Sequence, residues 1–229
     1  MQFLIGVGAV LLGYFLGSIP FGVLIVKLKT GKDLRTVESG RTGGTNAARA
    51  AGFGAGLLTA LTDILKGATA VWIVRAIDPS NNLIHILAPI GAILGHNYSL
   101  FLIERNENGK LKFRGGAGGA PALGGAMGLW WPMFPIAFGL GALIWFSIGI
   151  ASLTTMAIGL VLIIVFAIQA SIGNLPSIYI WYGIVAESLL IWALRPNIKK
   201  LLAGNERVIG MSLNGWLRAR KAAKEQTDK

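Results

Sequence analysis

The feature that most constrains this chain is a long apolar segment, residues 120–194, in which Glu187 is the one charged residue. A membrane-spanning helix needs about 20 consecutive, mostly apolar residues, so this segment accommodates three helices, or four that are short or tilted. Three other apolar segments of spanning length precede it, at residues 2–26, Phe53–Ile77 and 83–103. The pattern predicts an all-α integral membrane protein.

The composition supports a membrane location. Hydrophobic residues make up 54% of the 229 residues and charged residues only 14%, against about 25% charged in a typical soluble domain. A soluble globule of this size could not bury so much apolar surface. The absence of cysteine excludes disulfides, thiolate metal sites and a cysteine nucleophile, and two histidines are too few for a histidine-based metal centre. No metal site is predicted.

The basic residues are clustered, and their positions predict the topology. Of the 21 Lys and Arg residues, six lie at 27–49, four at 105–114 and nine at 195–229, whereas the turns at 78–82 and 171–177 have none. Because short loops rich in Lys and Arg stay in the cytoplasm, all three clusters are expected on that side. Four helices in the long apolar segment then give seven transmembrane helices, with the N-terminus outside and the C-terminus cytoplasmic. Five spans with a re-entrant or interfacial piece is the alternative.

The net charge of +11 indicates anionic partners. The charges lie beside apolar segments and no nucleic-acid motif is present, so lipid headgroups and phosphorylated substrates are favoured over nucleic acid. Residues 1–211 are interpreted as a single polytopic membrane domain and residues 212–229 as a basic amphipathic tail. The tail places Trp216 and Leu217 among basic residues, which suits either an interfacial helix at an anionic surface or a solvated basic tail.

The first basic loop contains a glycine-rich run, 39–49, with the features of an anion site. Glycines let the backbone turn its N–H groups inward, hydroxyls add donors, and the arginine fork grips two phosphate oxygens at once. An ordinary glycine-rich turn that carries cytoplasmic charge is the alternative. The candidate residues in this loop are Ser39, Arg41, Gly43, Gly44, Thr45, Asn46 and Arg49.

The second basic loop leads into a glycine cluster directly before a helix. A helix N-terminus preceded by glycines is a natural anion site, but no Gly-Lys-Ser/Thr follows, so this is not a Walker A motif. In the second span, Asp63 and Lys66 are three residues apart on one helix face, which predicts a structural ion pair. The candidates in and before the glycine cluster are His96, Arg114, Gly115, Gly116 and Gly118.

Taken in order, these motifs resemble those of the bacterial acyl-phosphate:glycerol-3-phosphate acyltransferase family. The resemblance covers nearly the whole chain and rests on several short pieces. They are residues 17–22 (Gly-Ser-Ile-Pro-Phe-Gly), the run 39–49, residues 63–67 (Asp-Ile-Leu-Lys-Gly), Gly95-His96 with residues 113–118, and the segment 197–206 after the last span.

The resemblance implies seven membrane helices around a cytoplasm-facing groove, in a multi-pass protein of the bacterial cell membrane. The implied reaction moves a fatty acyl group from acyl phosphate to the 1-hydroxyl of glycerol 3-phosphate, giving lysophosphatidic acid for phospholipid synthesis. No cofactor is implied, the partners are the two substrates and membrane lipids, and no obligate protein partner is expected. A non-catalytic relative that binds or transports a phosphorylated lipid is the alternative function.

An acyl phosphate already has a good leaving group, so orientation and electrostatics could supply the rate enhancement without a covalent nucleophile. His96 either polarises a substrate or accepts a proton, or makes a structural hydrogen bond at a helix end. The catalytic candidates are Ser39, Arg49, His96 and, by resemblance, Asn197. The substrate-binding candidates are Arg41, Gly43, Gly44, Thr45, Asn46, Lys66, Arg114, Gly115, Gly116 and Gly118.

The chain departs from the family pattern within these motifs. Ala117 stands where the family has a lysine, Leu194 where it has a histidine, and Arg41 where it usually has asparagine. An insertion lies around residues 104–112. Three cations are candidates to replace the missing lysine: Arg41, Lys110 and Lys112.

Overall fold

The computed structural model describes residues 2–105 and 107–227, and most of them are helical. A short antiparallel hairpin pairs β1 (Ile103–Arg105) with β2 (Leu111–Phe113), and two 3-10 turns occupy Leu34–Thr36 and Leu100–Leu102. The last two residues of the predicted basic tail lie outside the described residues. The α-helices are α1 (Gln2–Ser18), α2 (Phe21–Thr30), α3 (Gly44–Ala51), α4 (Phe53–Ile77), α5 (Asn82–Asn97), α6 (Gly119–Leu129), α7 (Met133–Ser147), α8 (Ala151–Ser171), α9 (Ile178–Leu202) and α10 (Leu213–Thr227).

The long apolar segment forms four helices, α6 to α9, so the four-helix alternative is correct. Pro132 lies directly before α7, where a missing N–H costs nothing, and Gly149 adopts a φ of +73° between α7 and α8. Five helical segments are long and apolar enough to cross a membrane, whereas α6 and α7 are shorter. The five are Gln2–Thr30, Phe53–Ile77, Asn82–Leu102, Ala151–Ser171 and Ile178–Leu202. The prediction of an all-helical, multi-pass membrane protein is confirmed.

Two predicted spans differ in detail from the observed helices. The segment 2–26 is not one helix, because α1 ends at Ser18 and α2 starts after Pro20. Proline removes a backbone donor and disfavours helical geometry at the residue before it. In the segment 83–103 the α-helix ends at Asn97, and a 3-10 turn at Leu100–Leu102 leads into the β-hairpin.

Glycines allow the helix backbones to approach closely. A Cβ at Gly17 of α1 would overlap the carbonyl of Ala92 in α5, and one at Gly124 of α6 would overlap the carbonyl of Ile64 in α4. Such small residues are the usual means of tight packing between membrane helices. Because Gly124 lies beside Ile64 and Gly128 beside Val71, α6 runs parallel to α4 and begins partway along it.

Arg75 joins four helix ends at one end of the bundle. Its guanidinium donates to the carbonyls of Gly128 (3.0 Å) and Leu129 (2.9 Å) and to the hydroxyl of Tyr179 (2.9 Å). The Tyr179 hydroxyl in turn donates to Asn82 Oδ1 at 3.3 Å. The last turns of α4 and α6 therefore lie at the same level as the first turns of α5 and α9.

The opposite end of the bundle carries the basic loops and the tail. The N–H of Ile209 donates to the carbonyl of Gly149 (2.8 Å), and Asn214 Nδ2 donates to the carbonyl of Ile148 (3.0 Å). The turn between α7 and α8 is therefore in contact with the segment after α9. It follows that α7 runs from the Arg75 end of the bundle to the tail end.

Candidate active site

A cavity of about 370 Å³ lies among the basic loops and the helix ends near them. Its wall comes from the first loop, α3, α4, α6, α7 and α8, and from the end of α9 with the residues that follow. The predicted residues Lys66, Arg114, Gly115 and Gly116 are not part of the wall. Ten other predicted residues do line the cavity: Ser39, Arg41, Gly43, Gly44, Thr45, Asn46, Arg49, His96, Gly118 and Asn197.

The wall is polar at one end and apolar at the other. The polar end carries the first-loop residues with Asn197, Lys200 and Glu206. Most of the large side chains in the rest of the wall are apolar and come from four helices: Leu57, Ile64, Leu123, Phe138, Trp145, Phe146 and Ile158. Polar groups of the helices, among them Ser152 and Thr155, also line it. A ligand that matches both ends has an anionic headgroup and an apolar chain.

Arg41 connects the first loop to the glycine cluster and to α9. Its Nη2 donates to the carbonyl of Ala193 (2.6 Å) and to Asn197 Oδ1 (3.1 Å), and its Nη1 donates to the carbonyl of Gly116 (3.4 Å). Burial lowers the pKa of Arg41, and the nearby Glu206 carboxylate opposes that effect. The guanidinium remains charged, because its ordinary pKa lies far above neutral. Arg41 thus places a cation next to Ala117, where the family pattern has a lysine.

Asn46, in the first turn of α3, holds the first loop in shape. Its Nδ2 lies within hydrogen-bond distance of the carbonyls of Leu34 (3.3 Å), Val37 (3.0 Å) and Arg41 (2.9 Å). The side chain is buried, and within the described part of the chain its Oδ1 has no partner. These contacts fix the backbone from which the Arg41 side chain extends.

Arg49 differs from Arg41 in that its guanidinium is not engaged. It lies in the last turn of α3 and lines the cavity, and no described residue accepts a hydrogen bond from it. Partial burial lowers the pKa of Arg49, and the Glu206 carboxylate raises it. A charged, exposed donor at the cavity wall without a fixed partner is available to a ligand anion.

The segment that follows α9 places Glu206 at the polar end of the cavity. Glu206 Oε1 accepts a hydrogen bond from Asn197 Nδ2 at 2.8 Å, and the neighbouring Arg207 forms an ion pair with Glu38 of the first loop. Three polar segments that are distant in the sequence are therefore tied together around one cavity.

His96 is part of a buried chain with Lys66 and Asp63. The Lys66 ammonium lies 2.9 Å from Asp63 Oδ1, 2.8 Å from His96 Nδ1 and 3.2 Å from the carbonyl of Ile19. The predicted ion pair is confirmed, and Lys66 reaches His96 rather than the cavity. Since an ammonium can only donate, Nδ1 of His96 accepts and its proton resides on Nε2. That nitrogen lies so close to Gly116 that no Cβ would fit there.

The glycine cluster packs against the end of α5. The N–H of Gly116 donates to the carbonyl of His96 (2.9 Å), and the carbonyl of Gly115 accepts from the N–H of Thr42 (3.3 Å). Gly118 has a φ of +89°, a conformation that glycine adopts without strain, and α6 begins at the next residue. The predicted anion cradle is thus partly a packing surface, with Gly118 at the cavity.

Arg114 points away from the cavity. Its Nε donates to Glu104 Oε2 at 2.9 Å, and the other oxygen of Glu104 accepts from Arg35 at 2.9 Å. Glu104 belongs to the insertion that forms the β-hairpin, so a residue of the insertion binds a cation that the sequence assigned to substrate.

Sequence reasoning missed Ser152, in the first turn of α8. Ser152 lines the cavity, only 1% of its surface is exposed, and its Oγ has no partner among the described residues. The helices α3, α6 and α8 all begin at this cavity, and none has a side-chain cap. Uncapped helix N-termini carry free N–H groups and partial positive charge. The signal for Ser152 in the sequence was the interruption of the apolar segment at residues 147–152, which has a serine at each end.

The fold and this site define a class: a multi-pass membrane protein with a cationic, donor-rich pocket that continues into an apolar one. Residues 7–204 match the family model for glycerol-3-phosphate acyltransferase. The chain belongs to the glycerol-3-phosphate acyltransferase family.

Individual relatives cover most of both chains. A glycerol-3-phosphate acyltransferase of Rubrobacter xylanophilus is 36% identical over 201 residues, which is 88% of this chain and 94% of the relative. One of Thermus thermophilus is 35% identical over 210 residues, covering 89% and 95%.

Two solved structures are similar in fold. The crystal structure of PlsY (YgiH), an integral membrane glycerol 3-phosphate acyltransferase, in its glycerol 3-phosphate form has a TM-score of 0.73 and 30% identity, covering 90% of this chain and 96% of that one. Its lysophosphatidic acid form has a TM-score of 0.71 and 28% identity, with the same coverage.

Proposed function

We infer that this chain is a membrane glycerol-3-phosphate acyltransferase that produces lysophosphatidic acid and so supplies phospholipid synthesis. The observation that carries this function is one cavity with cations at one end and mostly apolar walls at the other, in a chain of this family. Glycerol 3-phosphate matches the polar end and an acyl chain matches the apolar end. No observation on the described residues favours the non-catalytic alternative.

We propose acyl phosphate as the donor. The 1-hydroxyl oxygen of glycerol 3-phosphate bonds to the acyl carbon while the bond from that carbon to the phosphate oxygen breaks. The hydroxyl proton passes to the departing phosphate, which leaves as inorganic phosphate. The protein then has to hold two anions together and place donors at the carbonyl oxygen, which are effects of orientation and electrostatics.

The side chains of the cavity suit two anionic groups. The Arg49 guanidinium has no hydrogen-bond partner among the described residues and can bind one phosphate. The Arg41 guanidinium supplies a second cation, which is held in place by its hydrogen bonds. The uncapped starts of α6 and α8, with Ser152, offer neutral donors to the other anion or to the carbonyl oxygen. Ser39 and Thr45 of the first loop add hydroxyl groups to the cavity wall. We therefore retain Ser39, Arg41, Thr45 and Arg49 as substrate ligands, add Ser152, and assign Asn46 to holding the loop.

We propose that Arg41 takes the place of the lysine that the family has at position 117. Its bond to the carbonyl of Gly116 brings its charge beside Ala117, whereas Lys110 and Lys112 lie on the hairpin and are not part of the cavity wall. One substitution thus removed a cation from the glycine cluster and another placed one in the first loop. This exchange supports an active site rather than a decayed one.

We propose a positioning role for His96, and for Asn197 through its bond to Arg41. With Nδ1 of His96 occupied by the Lys66 ammonium, that nitrogen is not free to accept a substrate proton. Lys66 acts on the site through His96 and Asp63, and Gly115, Gly116 and Arg114 shape the loop behind the wall. These assignments leave the substrate phosphate as the proton acceptor.

We also propose seven transmembrane helices, with the N-terminus outside and the basic loops cytoplasmic, in one domain of residues 1–211. α6 starts beside the middle of α4 and ends at the Arg75 cluster, and α7 returns to the tail end. These contacts support two short crossings instead of a re-entrant piece. The first loop and the end of α9 line one cavity, and Arg41 of the first loop bonds to Gly116, just after the second basic segment. These contacts support a common side for all three basic segments.

A purified-protein assay tests the function directly. With acyl phosphate and glycerol 3-phosphate, the detergent-solubilised chain is expected to release equal amounts of lysophosphatidic acid and inorganic phosphate. An acyl thioester in place of acyl phosphate tests the donor separately. If neither donor gives product while an active relative works under the same conditions, the proposal is wrong.

A further inference from the structure

The helix α10 lies beyond the region that matches the family model, which ends at residue 204. Leu213, Trp216 and Leu217 are each half exposed or more, at 58%, 53% and 50%. Their spacing of three and four residues places them on one face of the helix. An apolar stripe of this size on an exposed helix marks an interaction surface.

Basic residues border this stripe. Four follow Leu217 within two turns, and no acidic residue lies between residues 213 and 224. The Arg220 guanidinium lies over the Trp216 ring, 5.4 Å from its centroid, so charge and apolar surface are adjacent. The four basic residues are Arg218, Arg220, Lys221 and Lys224. An apolar face flanked by cations fits the boundary between lipid headgroups and acyl chains.

The start of α10 is fixed at the level of the membrane helix ends. Ser212 caps it, because its Oγ accepts from the N–H of Gly215 at 3.0 Å, and Ser212 packs directly on Gly149 in the turn between α7 and α8. Asn214 bonds to the carbonyl of Ile148 in the same turn. Near that turn Ile148 and Met211 also expose apolar surface, so the start of α10 lies beside other exposed apolar side chains at this end of the bundle.

We propose that α10 binds the anionic phospholipid surface of the membrane leaflet that faces the basic loops. Binding there holds the turn before α8, two residues from Ser152, and the segment that carries Glu206 and Arg207 to the cavity. Anionic lipid is therefore an activating ligand of this chain, acting through the tail. This inference goes beyond the proposed acyl transfer, because lipid binding by α10 does not require catalysis.

A probe on α10 tests the binding. The chain has no cysteine, so Ala222→Cys gives one labelling site for a polarity-sensitive fluorophore. The full chain is reconstituted in vesicles of phosphatidylcholine alone or with about one third phosphatidylglycerol. The label is expected to shift to the blue only with phosphatidylglycerol and to lose the shift in high salt, which screens surface charge. Equal spectra in both vesicles would overturn the proposal.

Matched charge variants make the test specific. Replacing Arg218, Arg220, Lys221 and Lys224 together by Gln should abolish the shift and the gain in acyl-transfer rate with phosphatidylglycerol, but leave the rate in phosphatidylcholine unchanged. Replacing four other cations by Gln (Lys27, Lys29, Lys110 and Lys112) should preserve the shift. If both sets abolish it, the signal reports net charge and not α10. An inactive but correctly shifted protein would contradict the acyltransferase function alone.

Discussion

Arg41 donates a hydrogen bond to Asn197 at 3.1 Å, although 156 residues separate them in the sequence. The bond joins the first basic loop to the end of α9, and the same guanidinium also contacts the glycine cluster through Gly116. The three basic segments therefore meet at one cation.

Arg49→Ala should lower kcat/KM about 10- to 100-fold, because it removes a charge-assisted contact to substrate of about 1.5–3 kcal/mol. Thermal unfolding should not change, since no described residue depends on the Arg49 guanidinium. Initial rates over a range of glycerol 3-phosphate concentrations measure the effect. Lys112→Ala, which removes an exposed cation from the hairpin, is the control and should be silent. Unaltered kinetics in Arg49→Ala would refute the assignment.

Arg41→Ala should also reduce activity by at least about tenfold, through a lost cation and a loosened Asn197. Adding Ala117→Lys in that background should recover much of the rate, because position 117 adjoins the place that the guanidinium leaves. In the natural background Ala117→Lys should instead reduce the rate, since two cations would compete for one space. Ala117→Gln, similar in reach but uncharged, is the control; rescue by Gln would show that charge is irrelevant.

Ser152→Ala should separate activity from stability. The buried Oγ has no partner among the described residues, and removing an unpaired polar group costs the fold nothing. Loss of a donor to substrate should lower kcat/KM about tenfold, or roughly 1.4 kcal/mol. Ser188→Ala, on an exposed face of α9, should leave the rate unchanged. A Ser152→Ala protein that unfolds at lower temperature with a normal rate would assign Ser152 to structure.

Lys66→Met should destabilise the protein by about 3–5 kcal/mol, because it leaves the Asp63 carboxylate buried and unpaired. The double variant Asp63→Asn/Lys66→Met should be milder, since both charges leave together. Denaturation curves in detergent compare the two variants. A double variant less stable than the single one would show that the pair itself stabilises the bundle.

Trp131→Cys should be labelled by a membrane-impermeant maleimide from outside whole cells. Trp131 lies in the turn between α6 and α7 and is 66% exposed, and seven crossings put that turn on the outer face. Lys32→Cys, in the first basic loop, is the internal control and should react only after permeabilisation. Labelling of Trp131→Cys only after permeabilisation would support a re-entrant α6–α7 pair.

The sequence alone determined the class of fold, the clustering of cations and ten of the residues that line the cavity. Spanning length, basic clusters and glycine-rich loops are properties of short stretches of chain, so they are legible without a structure. This is why Arg41, Arg49 and Asn46 were found, whereas Asn197 came from the family resemblance. The Asp63–Lys66 ion pair was found for the same reason, because helix periodicity alone brings the two residues together.

The tertiary structure decided which of these groups act at one place. Arg41 and Arg49 line the cavity, whereas Arg114 bonds to Glu104, although all three arginines were equally good candidates from the sequence. The role of Ser152 and the link from Lys66 to His96 were likewise invisible in the sequence. Each depends on how α3, α5, α6 and α8 pack against one another. Close glycine contacts between helices distant in the chain set that packing, and no local pattern encodes which side chains it brings together.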